Sequence, residues 1–454
     1  MLNAMQILGI FLTLGIVTGA GIWSGRKVKS AEDFAMAGSQ AGSLLVTGAI
    51  VGTLVGGSST IGTAQLAQQF GHSALWFTLG GGIGCLVLGL FFARPLRRSG
   101  QGTIQQIITD EYGKTAGFCC SILGIVGIFL NIVPQLLSST ALLDSMLPIS
   151  PMVCALVSVG VMACYVLFGG VKGAGLLGTI KLVLLYVIVV VCGILGLRLS
   201  GGFTGLTAAL PKQQYFNLFA RGVSTDSGAG LSLVLGVLST QTYIQAVMSA
   251  KSDRVARRGA LISALLIPPI GLGGVYVGMY MKLYHPDILP GQAFPQFILM
   301  HTPDLFAGVA LATLFIAVVG TGAGLALGIA SIVTNNLYGR FRPDAKPQKL
   351  LLVLRITIIC VLLLALLFTT GDLQAVILQW SFMSMGLRAA VVFLPMCGAL
   401  FLPGKIDRRF ALAAIISGPL TVLPGKMLPT TWDSLFLGVG IGFICMLLGW
   451  AEKK

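Results

Sequence analysis

Thirteen apolar runs, each near the roughly 20 residues that cross a bilayer, divide the chain. They lie at about 5–24, 43–69, 73–94, 116–146, 150–168, 174–198, 228–250, 257–282, 304–338, 350–369, 373–402, 408–424 and 434–450. Each predicts a transmembrane helix. Two of them carry polar residues where a spanning helix is ordinarily apolar. Segment two reads GAIVGTLVGGSSTIG over 48–62, and segment seven reads LGVLSTQTYIQAVMSAKS over 235–252. Glycine costs roughly 1 kcal/mol against alanine within a helix, and Ser and Thr hydroxyls compete for its backbone groups. One reading is a small-residue face for close helix packing. The other is a pair of discontinuous helices whose freed backbone groups line a binding site at mid-membrane. The second reading gains from the pairing. The cluster at 56–60 and the cluster at 239–245 fall at similar depth in two segments of opposite sense.

Composition supports the membrane assignment. Of 454 residues 56% are hydrophobic and 9% charged, with mean hydropathy +0.93, unlike any soluble globular chain. The net charge of +15 then reads as positive-inside bias rather than as a nucleic-acid surface. With the N-terminus outside, inner loops hold 21 cations, among them Arg26, Arg97, Arg257, Arg342 and Lys405, and outer loops hold 5: Arg198, Lys212, Arg221, Lys282 and Lys426. The expected orientation is N-terminus outside and C-terminus cytoplasmic, in the cell membrane. Segment 5–24 lacks a basic start and a cleavage site, so it reads as a span and not a signal peptide. The nine cysteines mostly fall in apolar runs without metal spacing and read as small core residues.

The long polar connection 199–227 separates segments two to six from segments seven to eleven. Segment two starts inside and segment seven outside, the layout of a five-plus-five inverted repeat. The whole chain, 1–454, is expected to be one transporter domain: a helix at 5–24, repeat one at about 43–198, repeat two at about 228–402, and two further helices at about 408–450.

Every Asp, Glu and His lies in a predicted loop or at a helix end. No carboxylate or imidazole is therefore expected at mid-depth, and the clustered acids, histidines or metal ligands of a membrane enzyme are missing. No GxxxxGK[ST] loop occurs, so ATP is not the expected energy source. A channel and a membrane sensor are more distant alternatives. A sensor ordinarily carries a signalling domain, and the residues after Trp450 are too few to form one. The expected partners are a small organic solute and membrane lipid, with no nucleic acid and no evident partner protein. No cofactor is expected beyond Na+ or H+ as coupling ion.

Several stretches in order resemble the sodium/solute symporter family, whose members share the LeuT-type fold. They are EDFAMAG (32–38), the glycine-rich segment two, ARPLRRSGQGTIQQIITDEYG (93–113), LFGGVKG (167–173) and TQTYIQAVMSAKSDRVARRG (240–259). The resemblance spans about residues 30–343. It implies a secondary transporter working by alternating access, with a cation site between segments two and nine. By position, the backbone carbonyls of Gly52, Val55 and Ala317 would serve that site, together with two hydroxyls at positions 320 and 321. Thr321 is present, but Gly320 has no hydroxyl. Segment six also departs from the family. Where members often read Thr-Asp-x-x-Gln, this chain reads Leu177-Gly178-Thr179-Ile180-Lys181. The substrate site implied by the resemblance falls at Ser59 and Thr240, with Ser58, Thr60 and Gln241 beside them. From pattern alone, Asn131 and Gln135 share one face of segment four at i, i+4, and Gln379 and Trp380 are further candidates. Interhelical hydrogen bonding is the alternative role of Asn131, Gln135 and Gln379.

Two cations lie inside predicted spans. Lys181 is roughly 10 Å into segment six. Either it snorkels, or its amine takes the place of the sodium ion, as in related LeuT-fold transporters of the amino acid/cation class. In that place it would either carry the coupled proton or act as a fixed cation. Ordinary sodium coupling at the same oxygens is the alternative. Arg388, near the centre of segment eleven, keeps its proton and has no acidic residue at its depth. It either snorkels into an inner vestibule or binds an anionic group of the substrate, which favours a carboxylate-bearing solute.

Overall fold

The computed structural model describes residues 2–25, 41–169, 174–339, 342, 346–370, 375–425 and 432–453. Over those residues helix runs through each of the predicted segments, interrupted in segments two and seven. The EDFAMAG stretch lies outside the described residues, as does LFGGVKG from Gly170 onward.

Helix α1 (Ala4–Gly25) precedes the first broken helix, formed by α2 (Ser43–Leu54) and α3 (Thr63–Phe70). Next come α4 (Trp76–Val87), α5 (Ala93–Arg98), α6 (Ile104–Tyr112), α7 (Lys114–Met146), α8 (Pro151–Gly169) and α9 (Ala174–Leu199). The connection after α9 carries two short helices, α10 (Gly202–Ala209) and α11 (Lys212–Tyr215). The second broken helix is α12 (Val223–Leu238) with α13 (Gln241–Met248), bent by 43° at the break. It is followed by α14 (Asp253–Tyr284), α15 (Ala293–His301), α16 (Asp304–Ile332), α17 (Pro347–Thr370) and α18 (Ile377–Phe401). Helices α19 (Arg408–Gly425) and α20 (Ser434–Glu452) close the chain as a packed pair.

The connections expected to be loops hold the short helices α6, α10, α11 and α15, which apolar periodicity alone does not reveal. Three of them have a plain local reason. Thr103 caps α6 by accepting from Gln106 N–H at 3.2 Å, and Leu206 and Tyr215 bury their side chains. Among the described residues eight helical runs are long and apolar enough to cross a membrane, and the bent α12/α13 pair makes a ninth.

Both five-helix sets open on a helix interrupted in its middle. Helix α2 stops at Leu54 because Val55 turns extended (φ −88, ψ 99). The chain re-enters helix through a π turn at Ser58–Gly62, a wide turn that is frequent at functional sites. Helix α12 stops at Leu238, and Thr240 turns extended (φ −99, ψ 117) before α13. The two broken helices are tied together at one end of the bundle. There Ala41 N–H donates to Ser249 O at 3.0 Å and Lys251 N–H to Ala41 O at 3.1 Å. Arg97 and Asp253 pair at that same, cation-rich end.

At the opposite end α3 stops at Gly71, whose φ of +52 suits glycine; a Cβ there would run into the Tyr215 backbone. Around the broken helices, α14 packs on α3, α4 and α9, while α7 packs on α16 and α18, and α12 on α4 and α18. The first break therefore faces α7, α16 and α18, and the second faces α18.

Candidate functional site

At the first break the α2 carbonyls have lost their helical partners, and one finds a lysine. Lys181 Nζ donates to Gly52 O at 2.9 Å, Ala317 O at 2.9 Å and Thr321 Oγ1 at 3.0 Å. Three ammonium protons meet three oxygens from α2 and α16. Thr321 can accept because its own proton goes to Ala317 O at 2.9 Å. The carbonyl of Val55 is not among the lysine's acceptors. Gly320 leaves the neighbouring position open: a Cβ on it would find only the Tyr165 phenol, 3.8 Å away.

The freed N–H groups of the same break are also taken. Gly57 N–H donates to Gln135 Oε1 at 3.1 Å, and Gln135 Nε2 reaches Ser58 Oγ at 3.4 Å. Ser58 Oγ in turn lies 2.7 Å from Ser381 Oγ on α18. The structure thus joins Ser58 and Gln135 across three helices. Ser59 and Thr60 turn back into the break instead. Gly56 N–H donates to Ser59 Oγ at 3.1 Å, and Gly56 O accepts from Ser59 at 3.0 Å and Thr60 at 2.9 Å.

At the second break the guanidinium of Arg388 spans from α18 to α12. Nη1 donates to Thr240 Oγ1 at 2.9 Å, Nη2 to Ser384 Oγ at 3.0 Å and to Met385 Sδ at 3.2 Å, and Nε to Ser384 O at 3.2 Å. The residue is 3% exposed, and no carboxylate contacts it among the described residues. Its stem lies against Gly127 of α7, where a Cβ would come within 2.5 Å of Arg388 Cγ.

The structure places three of the sequence candidates elsewhere. Gln241 faces the 102–104 connection, accepting from Ile104 N–H at 2.9 Å and donating to Gly102 O at 3.3 Å. It anchors α6 to the start of α13. Gln379 is exposed near the start of α18, and Trp380 packs edge-on against Phe368 of α17. Asn131 is buried on α7, midway between Gly127 and Gln135. Ser381, Ser384 and Met385 were not among the candidates. Their spacing with Arg388 (i, i+3, i+4, i+7) was the available signal, since it puts all four on one face of α18.

Above the site, toward the end away from Arg97, lies a second buried layer. Asp226, fully buried, accepts from Ser73 Oγ at 2.7 Å and from Arg221 Nε at 2.7 Å. The Arg221 guanidinium sits 5.3 Å from the centre of the Phe382 ring, which packs on Phe77.

Two broken helices meeting at a polar centre within an all-helical bundle define a membrane protein of the LeuT-type class. A solved structure of a Na+-coupled sialic acid symporter, in a substrate-bound outward-open state, matches it with a TM-score of 0.80. That match is at 16% identity and covers 99% of this chain and 97% of the other. The model of the sodium:solute symporter family matches residues 34–418, and the chain belongs to that family. It is 24% identical over 387 residues to high-affinity choline transporter 1 of Drosophila melanogaster, covering 80% of this chain and 62% of that protein. It is 23% identical over 412 residues to the protein of the same name from Caenorhabditis elegans, covering 80% and 68%. The chain thus spans about two thirds of the length of these relatives.

Proposed function

We propose that the chain is a secondary active symporter of a small carboxylate-bearing organic solute, with the Lys181 amine in place of the coupling sodium ion. One observation carries the reading of the ion: the three hydrogen bonds from Lys181 to Gly52, Ala317 and Thr321. A sodium ion wants several oxygen ligands, as hard cations do. Here three of them are already engaged by an ammonium, and Gly320 supplies no hydroxyl. An ammonium 4 Å from a sodium ion would repel it by about 4 kcal/mol at an effective dielectric near 20.

Arg388 supports the reading of the solute. A cation such as the choline of the relatives' names would enter a centre that holds Lys181 and Arg388 and, among the described residues, no carboxylate. Four of the five guanidinium N–H groups already meet Thr240, Ser384 and Met385, so a carboxylate would take the remaining Nη1 N–H and displace one of these neutral partners to complete a charged pair. The backbone N–H of Gly57 is already taken by Gln135, which leaves Arg388 as the strongest anion-binding group at the breaks.

The chain lies in the cell membrane with thirteen crossings, N-terminus outside and C-terminus in the cytoplasm. The 21-to-5 division of cations supports this. Labelling of a Ser252→Cys variant from outside intact cells would contradict it.

The test of coupling is uptake of labelled carboxylates into proteoliposomes. A pH gradient, or substrate exchange alone, should sustain uptake when sodium is replaced by potassium. Lys181→Gln should abolish accumulation driven by the pH gradient. Saturable sodium stimulation that survives Lys181→Gln would overturn the proposal in favour of ordinary sodium symport, the reading that family membership by itself supports.

A further inference from the structure

Asn131 belongs to neither polar cluster, yet it lies between them. Gly127, Asn131 and Gln135 are spaced i, i+4, i+8 on α7 and share one face. Gly127 O accepts from Ser384 Oγ at 2.6 Å, and Gly127 backs the Arg388 stem. Gln135 holds Gly57 and Ser58 at the first break. Asn131 is one helical turn, about 6 Å along the axis, from each. It is 9% exposed, and among the described residues its amide makes no hydrogen bond. Ser58 and Gln135 at the first break, and Thr240 and Ser384 at the second, all have partners. The amide is not among the fully enclosed unpaired groups of the described residues, so its remaining exposure leaves it open to water or to a ligand group.

We propose that Asn131 is a specificity-determining residue that pairs with a hydroxyl, keto or amide group on a solute whose carboxylate is held by Arg388. This rests on the carboxylate reading above and narrows it. The substrate class becomes hydroxy-, oxo- or amido-carboxylates, and plain alkanoates are poorer ligands. A plain alkanoate would displace water from the amide of Asn131 without replacing its hydrogen bonds, the situation in which polar sites discriminate.

The test uses the purified full-length chain and acids matched in carbon number: lactate against propionate, and 3-hydroxybutyrate against butyrate. Binding is followed by titration and by thermal shift. The wild-type chain should prefer the substituted acid of at least one pair by about tenfold or more. Asn131→Leu should collapse that preference by weakening the substituted acid more than its partner. Its unliganded melting temperature should not fall, because leucine removes an unpaired polar group. Asn131→Ala gives the same comparison where the leucine variant folds poorly. A wild-type chain without preference, or a preference that persists in the variant, would overturn the role of Asn131. Arg388→Gln separates the two layers of the argument. It should weaken both acids of a pair, and unchanged binding of both would sink the carboxylate reading itself.

Discussion

Arg388 on α18 and Thr240 at the break of α12 are joined by a 2.9 Å hydrogen bond from Nη1 to Oγ1. One guanidinium is thereby shared between a continuous helix and the end of a broken one. Arg388→Lys keeps the charge but cannot serve Thr240, Ser384 and Met385 together. Carboxylate affinity should fall tenfold or more, on the order of one charged hydrogen bond. Thr240→Val keeps the shape and removes the acceptor, so the melting temperature should drop while the break persists. Lys at position 388 with wild-type affinity would show that charge alone suffices.

The layer over the site makes a second expectation. Asp226 and Arg221 are a buried pair, at 0% and 13% side-chain exposure. Removing one partner of such a pair typically costs about 3–5 kcal/mol. Arg221→Met should therefore lower the melting temperature clearly, and Arg221→Met with Asp226→Leu should recover part of the loss. If the pair latches the outer side, Arg221→Met should also speed labelling of Ser381→Cys by an impermeant maleimide. Equal labelling rates would leave Arg221 a purely structural residue.

Gly57 is the residue at the first break with the least room. A Cβ there would collide with the Ser138 side chain and crowd Val318. Gly57→Ala should impair folding or transport. Gly57→Ala with Ser138→Gly should restore it, because the space is returned from the facing helix. Failure of the double variant, with normal protein levels, would move the cause from packing to backbone conformation.

A pH dependence of stability is expected at the end bearing His301. Its ring packs on Tyr280 and Phe297, with centroids 5.0 and 5.1 Å away, and on His285 at 5.8 Å. Burial first, and the neighbouring His285 second, hold the His301 imidazole below its ordinary value. The unfolded chain then binds a proton that the folded chain resists, so stability falls as pH drops through about 6.5. Melting curves between pH 7.5 and 5 should show this fall, and His301→Phe should flatten it. Identical slopes in the two proteins would place the effect elsewhere.

How much of this was legible depended on whether position alone determined a partner. Lys181 could be placed because an ammonium deep in an apolar helix must find oxygens, and the family resemblance said which ones stood nearby. The bundle and its two breaks followed from Gly56, Gly57, Ser239 and Thr240, small or hydroxylated residues at matching depths. Gln241 could not be read in the same way. A break resets the helical phase, so depth does not say which way the next side chain turns, and it turned to Gly102 and Ile104. Ser59 shows a related effect: at an interrupted helix the nearest unpaired groups are the helix's own, and its hydroxyl pairs with those of Gly56. The pairing of Arg221 with Asp226 crosses a 199–227 connection whose short helices carry no strong periodicity.

The hydrogen bonds of Lys181 also have an electrical consequence. All three protons of its ammonium rest on oxygens of α2 and α16. If that charge stays in place through the cycle, the solute's negative charge crosses alone. A membrane negative inside then opposes uptake by about 2.3 kcal/mol for each 100 mV. If the amine hands its proton on with each solute, the charges cancel and transport becomes indifferent to voltage. The same three bonds thus decide whether the carrier works against the membrane potential or ignores it.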